Sequence, residues 1–447
     1  MIAEAGCIDI ACPLLEVQNI PSPLVLSSLK DDSAVGSTPP FIMGTYIETF
    51  TEAKTTVSAT TQQQNVLLLH GPKQRYSLTT GYQIPDVQSD DEMLVKVHII
   101  GLNPIDWKSA EFGFGLPSLP CIAGRDFAGT IVQSPETPSR FRHGDPIVAI
   151  STDYRDFRKS AFQEYSITTT YNSFRLPPSL PAKQGASLGV AFVAAALALG
   201  ICIGVDFSSE AVNRGGDDLL SLTKSLERES LPQDIRAECF EGINEAERPR
   251  PGDWIAIWGA SSATGFMALQ LAKRCGLGVI CIAGVTKHGK RLRNHGADVL
   301  IDRYDDNKEM IVEKIRSAAG GRLKFGLDTV GKDTAGLLQK AMIPTNGNDS
   351  IRSHLVGLAG LPYPDSSTEH IKHHSVPIKL FHESPLVGTS LMIWVEQLLE
   401  SGDLVPPMIV DVKVAPGLEG VNDGLKLLRT GKLGGGRIIV PLVETGI

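Results

Sequence analysis

Residues 255–276 read IAIWGASSATGFMALQLAKRCG. The stretch opens on an apolar run, bends through small residues and continues as a helical pattern. A turn that holds a dinucleotide needs a strand, a bend tight enough to bring backbone against a pyrophosphate, and a helix whose first amides face the phosphates. DWIAIWG (253–259) supplies the strand and FMALQLAKRCG (266–276) the helix. The bend holds fewer glycines than G-x-G-x-x-G: Gly259 and Gly265 remain, with Ser261, Ser262, Ala263 and Thr264 between them. Small side chains still admit close approach, and a serine hydroxyl can donate to a phosphate oxygen. The same bend also serves simple packing in an α/β unit, so its surroundings decide.

From Trp254 onward strand and helix patterns alternate: GVICIAG, KRLRNHG, DVLID, EMIVEKIRSAAG, FGLDTVG, TAGLLQKAM and SHLVGLAG follow one another. This rhythm predicts a parallel sheet with helices on both faces, a doubly wound α/β unit. At the end of the second strand an acidic residue would hold a ribose 2′-hydroxyl. The run 278–298 carries no Asp or Glu between Val279 and Ala297, and offers Lys287, His288, Lys290 and Arg291 instead. Positive charge there suits a 2′-phosphate, which favours NADP(H) over NAD(H).

Upstream the texture differs. Residues 1–62, rich in Ser, Thr, Pro and Gln, read as a disordered extension outside the core. From Asn65 to about Thr170, short apolar or alternating runs such as NVLLLHG and MLVKVHIIGLN, separated by turn residues, predict a β-rich region. An Ala-rich run ending ALALGICIG reads as a helix joining two domains, and residues 205–250, charged with helical leucine spacing, read as a surface insertion.

Fifty acidic against 42 basic side chains, a net charge of −8, argue against nucleic acid as a partner. No window reaches the ~18 uninterrupted apolar residues of a membrane span, and the N-terminus lacks a basic run before its apolar residues, so a cytoplasmic chain is expected. The seven cysteines include no C-x-x-C, which points to free thiols rather than a disulfide framework or a structural zinc knuckle. In IKHHSVPIKLFHES the histidines His373, His374 and His382, with the adjacent His370, lack companion thiolate or acidic ligands and read as solvated loop residues. No G-x-S-x-G suggests a hydrolase.

Two further runs, VKVHIIGLNPIDWKSAEFG (95–113) and LPCIAGRDFAGTIV (119–132), combine with GASSATG, GADVLIDRYDD, LDTVG and the terminal LRTGKLGGGRIIV. Together they resemble the medium-chain dehydrogenase/reductase superfamily from about residue 63 to the C-terminus. Within it the likeness is to zinc-free members, the quinone oxidoreductases and the fungal trans-acting enoyl reductases of polyketide biosynthesis. The resemblance implies a GroES-like catalytic domain, discontinuous over 63–200 and 380–447, around a Rossmann cofactor domain over 201–379. It adds Tyr304 and Gly357 to the cofactor set and places Lys108 beside the nicotinamide ribose. There an ammonium would steady enolate charge or relay a proton, with Asn103 and Asp106 shaping its surroundings and Asp126 balancing its charge. Asp106 also suits a helix cap.

The zinc-dependent relatives ligate metal with a Cys and a His from the two first-domain motifs. Here Asn103 and Arg125 stand at those places, and only Cys121 lies between residues 100 and 200, so no metal is expected. One departure is Ala194 in SLGVAFVAAAL, where related reductases carry a threonine. The resulting expectation is an NADPH-dependent transfer of hydride to an enoyl substrate, free or carrier-bound, with a polyketide synthase as the partner that the resemblance implies. A quinone, aldehyde or alcohol oxidoreductase on small free substrates, and a noncatalytic NADP-binding partner protein, are the alternatives. Monomer and homodimer stay open.

Overall fold

The computed structural model describes residues 62–208, 215–305, 307–344, 352–363, 368–431 and 433–442. The extension expected over 1–62 therefore lies almost wholly outside the described residues.

The first lobe is β-rich. Strand Gln63–Leu69 pairs antiparallel with Ser77–Gln83 and with Cys121–Ile122. A second, antiparallel sheet of six strands runs Ile438–Pro441, Glu92–Leu102, Asp126–Gln133, Pro146–Ile150 and Ser173–Arg175, with Tyr165–Thr169 also on Glu92–Leu102. Alternation in Glu92–Leu102 buries Met93, Val95 and Val97 and exposes Lys96. Irregular pairing with Asp126–Gln133 around Val97 and Ile99 marks a bulge. Beyond it Ile99 enters the core shared with the joining helix, and Ile100 enters the core of the β lobe.

The second lobe is a sheet of six parallel strands ordered Val299–Asp302, Gly278–Ala283, Trp254–Trp258, Phe325–Asp328, Ser353–Gly357 and Ile371–His374. Ile255 and Ile257 face one apolar core while Ala256 and Trp258 face the other, as expected of a sheet covered on both sides. The fold is thus a GroES-like antiparallel lobe with a Rossmann-type parallel sheet. Strand order reverses direction between Trp254–Trp258 and Phe325–Asp328, and the carboxyl ends of such a pair are where open α/β sheets hold ligands.

Helix Gly189–Leu197, apolar all round and buried, continues into a π-helical turn, Ala198–Cys202. The insertion packs against it rather than lying on the surface as the sequence suggests. Leu219, Ile235 and Cys239 join the joining helix's core, and the Phe207 ring lies 4.7 Å from that of Trp394 on helix Pro385–Glu400. Arg248 closes the segment, donating to Gly204 O at 2.8 Å and to both Asp218 oxygens at 2.9 and 3.0 Å. Among the described residues no helix is long and apolar enough to cross a membrane.

Candidate active site

The bend after Trp258 is shaped for close backbone approach. Gly259 adopts φ +81°, and a Cβ there would stand 2.3 Å from Thr329 Oγ1. A Cβ on Gly265 would stand 2.4 Å from Gly259 O, so the helix Ala263–Arg274 can seat only on a glycine. Ser262 caps this helix: its Oγ accepts from Gly265 N–H at 3.0 Å and shares a 3.0 Å hydrogen bond with Thr329 Oγ1. Its hydroxyl is thus engaged within the turn. The amides of Ala263 and Thr264, in the helix's first turn, have no intrahelical acceptor and are the donors left for an anion. Asp328 braces the neighbouring strand end, accepting from Val330 and Gly331 amides at 2.8 Å, and pairs in register with Gly357.

At the end of strand Gly278–Ala283 a Cβ on Gly284 would lie 3.0 Å from the Tyr304 ring. Tyr304 is 64% exposed, and Arg303 both stacks on its ring at 4.6 Å and donates to its hydroxyl at 2.6 Å. Arg303 was not singled out by sequence. Lys287 Nζ donates to Leu433 O at 2.9 Å, and the buried His288 ring meets Gly434 O. Arg291 stacks on Phe266 at 3.6 Å and donates to Pro406 O at 3.1 Å, where burial lowers its pKa to about 10.

The loop contacted by Lys287 and His288 runs Gly434, Gly435, Gly436, all at positive φ, and ends in Arg437. A Cβ on Gly435 would lie 2.7 Å from Ser261 O. The loop therefore lies on the Gly259–Gly265 turn and carries Arg437 into the first lobe. There Arg437 is 3% exposed and donates from Nη1 to Asn103 Oδ1 at 2.6 Å, from Nε to Ser187 O at 3.0 Å, and from Nη2 to Asp126. Asp126, wholly buried, also accepts from Asn103 Nδ2 and from Val190 N–H, each at 2.9 Å. Burial pushes its carboxyl up while the Arg437 guanidinium pulls it back. The charge that Asp126 balances is thus Arg437, not Lys108.

Asn103 heads helix Pro104–Phe112, and its N–H donates to Asp106 Oδ2 at 2.7 Å in a reciprocal cap. The other Asp106 oxygen, Oδ1, is buried with no partner among the described residues, and so is Nε of Arg125, which stacks on Tyr154 at 3.6 Å. Burial, opposed by the nearby Arg125 charge, raises the Asp106 carboxyl to about 7. Two residues along the helix, Lys108 is half-buried and its Nζ lies 6.0 Å from the Trp107 ring centre. Burial alone lowers its pKa. The two positions that bear ligands in the zinc-dependent relatives do not suit zinc here: Asn103 Oδ1 is taken by Arg437, and Arg125 has no lone pair to offer. Ala194 sits nearly buried in helix Gly189–Leu197.

The histidines depart from their expected solvated state. His373 and His374 lie on strand Ile371–His374, His374 wholly buried, and His382 is held by Thr152 Oγ1 at 2.7 Å.

The alcohol dehydrogenase GroES-like domain model matches residues 89–178. A trans-enoyl reductase of Petromyces alliaceus is 24% identical over 83% of this chain and 95% of its own length. A second trans-enoyl reductase, of Aspergillus niger, is 29% identical over 60% of this chain and 63% of its own length, which is less than two thirds. Among solved structures, Escherichia coli quinone oxidoreductase complexed with NADPH superposes with a TM-score of 0.58 at 16% identity, covering 84% of this chain and 99% of that one. The fold is thus that of the medium-chain dehydrogenase/reductases, and the relatives and solved structures to which the chain is similar are oxidoreductases.

Proposed function

We propose that the chain is an NADPH-dependent reductase, working without a catalytic zinc, that delivers hydride to the activated C=C bond of an enoyl substrate, in the manner of the fungal trans-enoyl reductases it resembles. The observation that carries this reading is a half-buried lysine without an ion-pair partner among the described residues. It stands on a helix whose cap is tied through Arg437 and a three-glycine loop to the cofactor turn. The turn fits a dinucleotide: Gly259 and Gly265 leave the cradle that a Cβ would fill, and the Ala263 and Thr264 amides face its anion end. Lys287 and Arg303, flanking Gly284 and Tyr304, supply the positive charge for a 2′-phosphate.

When bound, the nicotinamide supplies a hydride. Lys108 then holds the negative charge that develops on the acceptor's carbonyl oxygen, and its lowered pKa fits it to pass a proton from Nζ. Asn103 fixes the start of the helix, and Arg437 with Asp126 fixes Asn103, so that Lys108 is held relative to the cofactor turn. Asp106, buried and partly protonated near neutral pH, lies two residues back and holds the start of the helix through the Asn103 amide.

The test follows NADPH oxidation by the purified full-length chain with a short enoyl thioester of pantetheine and, separately, with a free quinone. Thioester reduction lost in Lys108→Ala supports the reading. Turnover of the quinone alone would replace it with a quinone reductase, and NADPH binding without turnover on either would leave a noncatalytic dinucleotide-binding protein.

A further inference from the structure

At the edge of the parallel sheet, three segments distant in sequence converge. Cys202 closes the π-helical turn Ala198–Cys202, Glu238 lies on helix Gln233–Glu241 of the insertion, and His374 ends the edge strand Ile371–His374. One ligand atom from each falls within 4.8 Å of the other two. Cys202 and His374 are wholly buried, while the Glu238 side chain is 14% exposed. π-helical turns within α-helices are rare and gather at functional sites.

The groups behind His374 are arranged as a relay. His374 Nδ1 lies 2.6 Å from Glu238 Oε1, and its Nε2 lies 2.9 Å from His354 Nδ1. His354 Nε2, buried, has no hydrogen-bond partner among the described residues and faces Glu247 Oε2 at 3.7 Å. A neutral His374 that donates from Nδ1 to Glu238 must accept at Nε2 from His354. That leaves a bare nitrogen lone pair of His354 opposed to a carboxylate, two acceptors facing each other. A metal ion on His374 Nδ1 reverses every donor. His374 Nε2–H then donates to His354, and His354 Nε2–H points at Glu247. Glu247 would then support the metal-binding His374 through His354, one step further out than the carboxylate that commonly backs a ligating histidine.

We propose that Cys202, Glu238 and His374 form a divalent-metal site, with zinc as the ion best matched to thiolate, carboxylate and imidazole donors. One thiolate and one carboxylate neutralise the ion, which suits its burial. Zinc bonds of about 2.0–2.3 Å need ligand atoms some 3.3–3.8 Å apart, so the Glu238–His374 contact would open by roughly an ångström. Binding forms the metal–sulfur, metal–oxygen and metal–nitrogen bonds, releases the Cys202 thiol proton to water and oxidises nothing. The ion would staple the insertion and the joining helix to the sheet edge, a structural role separate from hydride transfer.

The test uses the full-length chain, stripped with a chelator, desalted and titrated with Co²⁺. The expected result is one ion per chain and a thiolate-to-cobalt charge-transfer band that Zn²⁺ displaces. Cys202→Ser should abolish the band, whereas Cys275→Ser, a thiol outside the cluster, should keep it. Glu247→Gln retains all three ligands and should weaken Co²⁺ binding about tenfold or more. This variant decides the matter if Cys202→Ser does not fold. No band in a folded protein, a band that survives Cys202→Ser, or unchanged affinity in Glu247→Gln would overturn the site. The contact of His374 with Glu238 would then be a hydrogen bond alone.

Discussion

Replacing Arg437 with Met keeps much of the side chain's length and apolar contact but removes three donated hydrogen bonds, to Asn103, Asp126 and Ser187. Asp126 would remain fully buried, held only by Asn103 Nδ2 and the Val190 amide. Stranding a buried charge by removing its partner costs about 3–5 kcal/mol. The cost should depend on pH. The Asp126 carboxyl already titrates above its ordinary value through burial, and losing the guanidinium pushes it further up. The native variant then binds a proton that the unfolded chain releases, so its stability falls as pH rises from about 4 through the raised native pKa. Urea unfolding followed by tryptophan fluorescence should show a deficit approaching 3–5 kcal/mol at pH 8 and a smaller one at pH 5. A deficit below about 1 kcal/mol, or one independent of pH, would refute the claim that Arg437 neutralises a buried Asp126. Asp126→Asn in the Arg437→Met background should remove the pH dependence.

Lys108→Ala should lower turnover on the enoyl thioester by about 10²–10⁴-fold while leaving NADPH affinity nearly unchanged, as read from kcat and from a cofactor titration. Arg303→Ala and Lys287→Ala should each weaken NADPH binding by about tenfold or more and NADH binding little; equal losses for both cofactors would remove the 2′-phosphate assignment. Asp106→Asn keeps an acceptor for the Asn103 amide but cannot ionise. Because the native Asp106 pKa is raised to about 7, the wild type should lose stability relative to this variant as pH climbs from about 4 to about 7, a trend that urea midpoints across pH can check. Gly265→Ala would drive a methyl against Gly259 O, 2.4 Å away, and should abolish NADPH binding in a protein that still folds.

The parallel sheet and the tight bend after its first strand are legible in the sequence because their signals are local. Gly259, Ser262 and Gly265 lie within one bend, and each strand is followed by its own helix. Arg437 escapes such a reading. It meets Asn103 across 334 positions, and its run of glycines resembles an exposed turn until the structure lays it on Ser261. Arg303 is hidden for a simpler reason, being one more charged residue after a strand, and only its stacking on Tyr304 beside Gly284 sets it apart. The insertion misleads through composition: mixed charge and leucine suit a surface helix, yet its apolar face is covered by the joining helix and by Trp394. His374 misleads likewise, since a polar edge strand looks like a loop until a neighbouring helix buries it.

Binding of NADPH and of NADH to the purified full-length chain tests the central claim most directly. Trp258, whose carbonyl accepts from Thr329 at the mouth of the turn, provides an intrinsic fluorescence reporter beside the site. The expected result is saturable quenching by NADPH at one site per chain, with at least about tenfold weaker binding of NADH, as charge-assisted contacts to a 2′-phosphate imply. Equal affinity for the two would contradict the assignment of Lys287 and Arg303, and binding of neither would contradict the reductase reading itself.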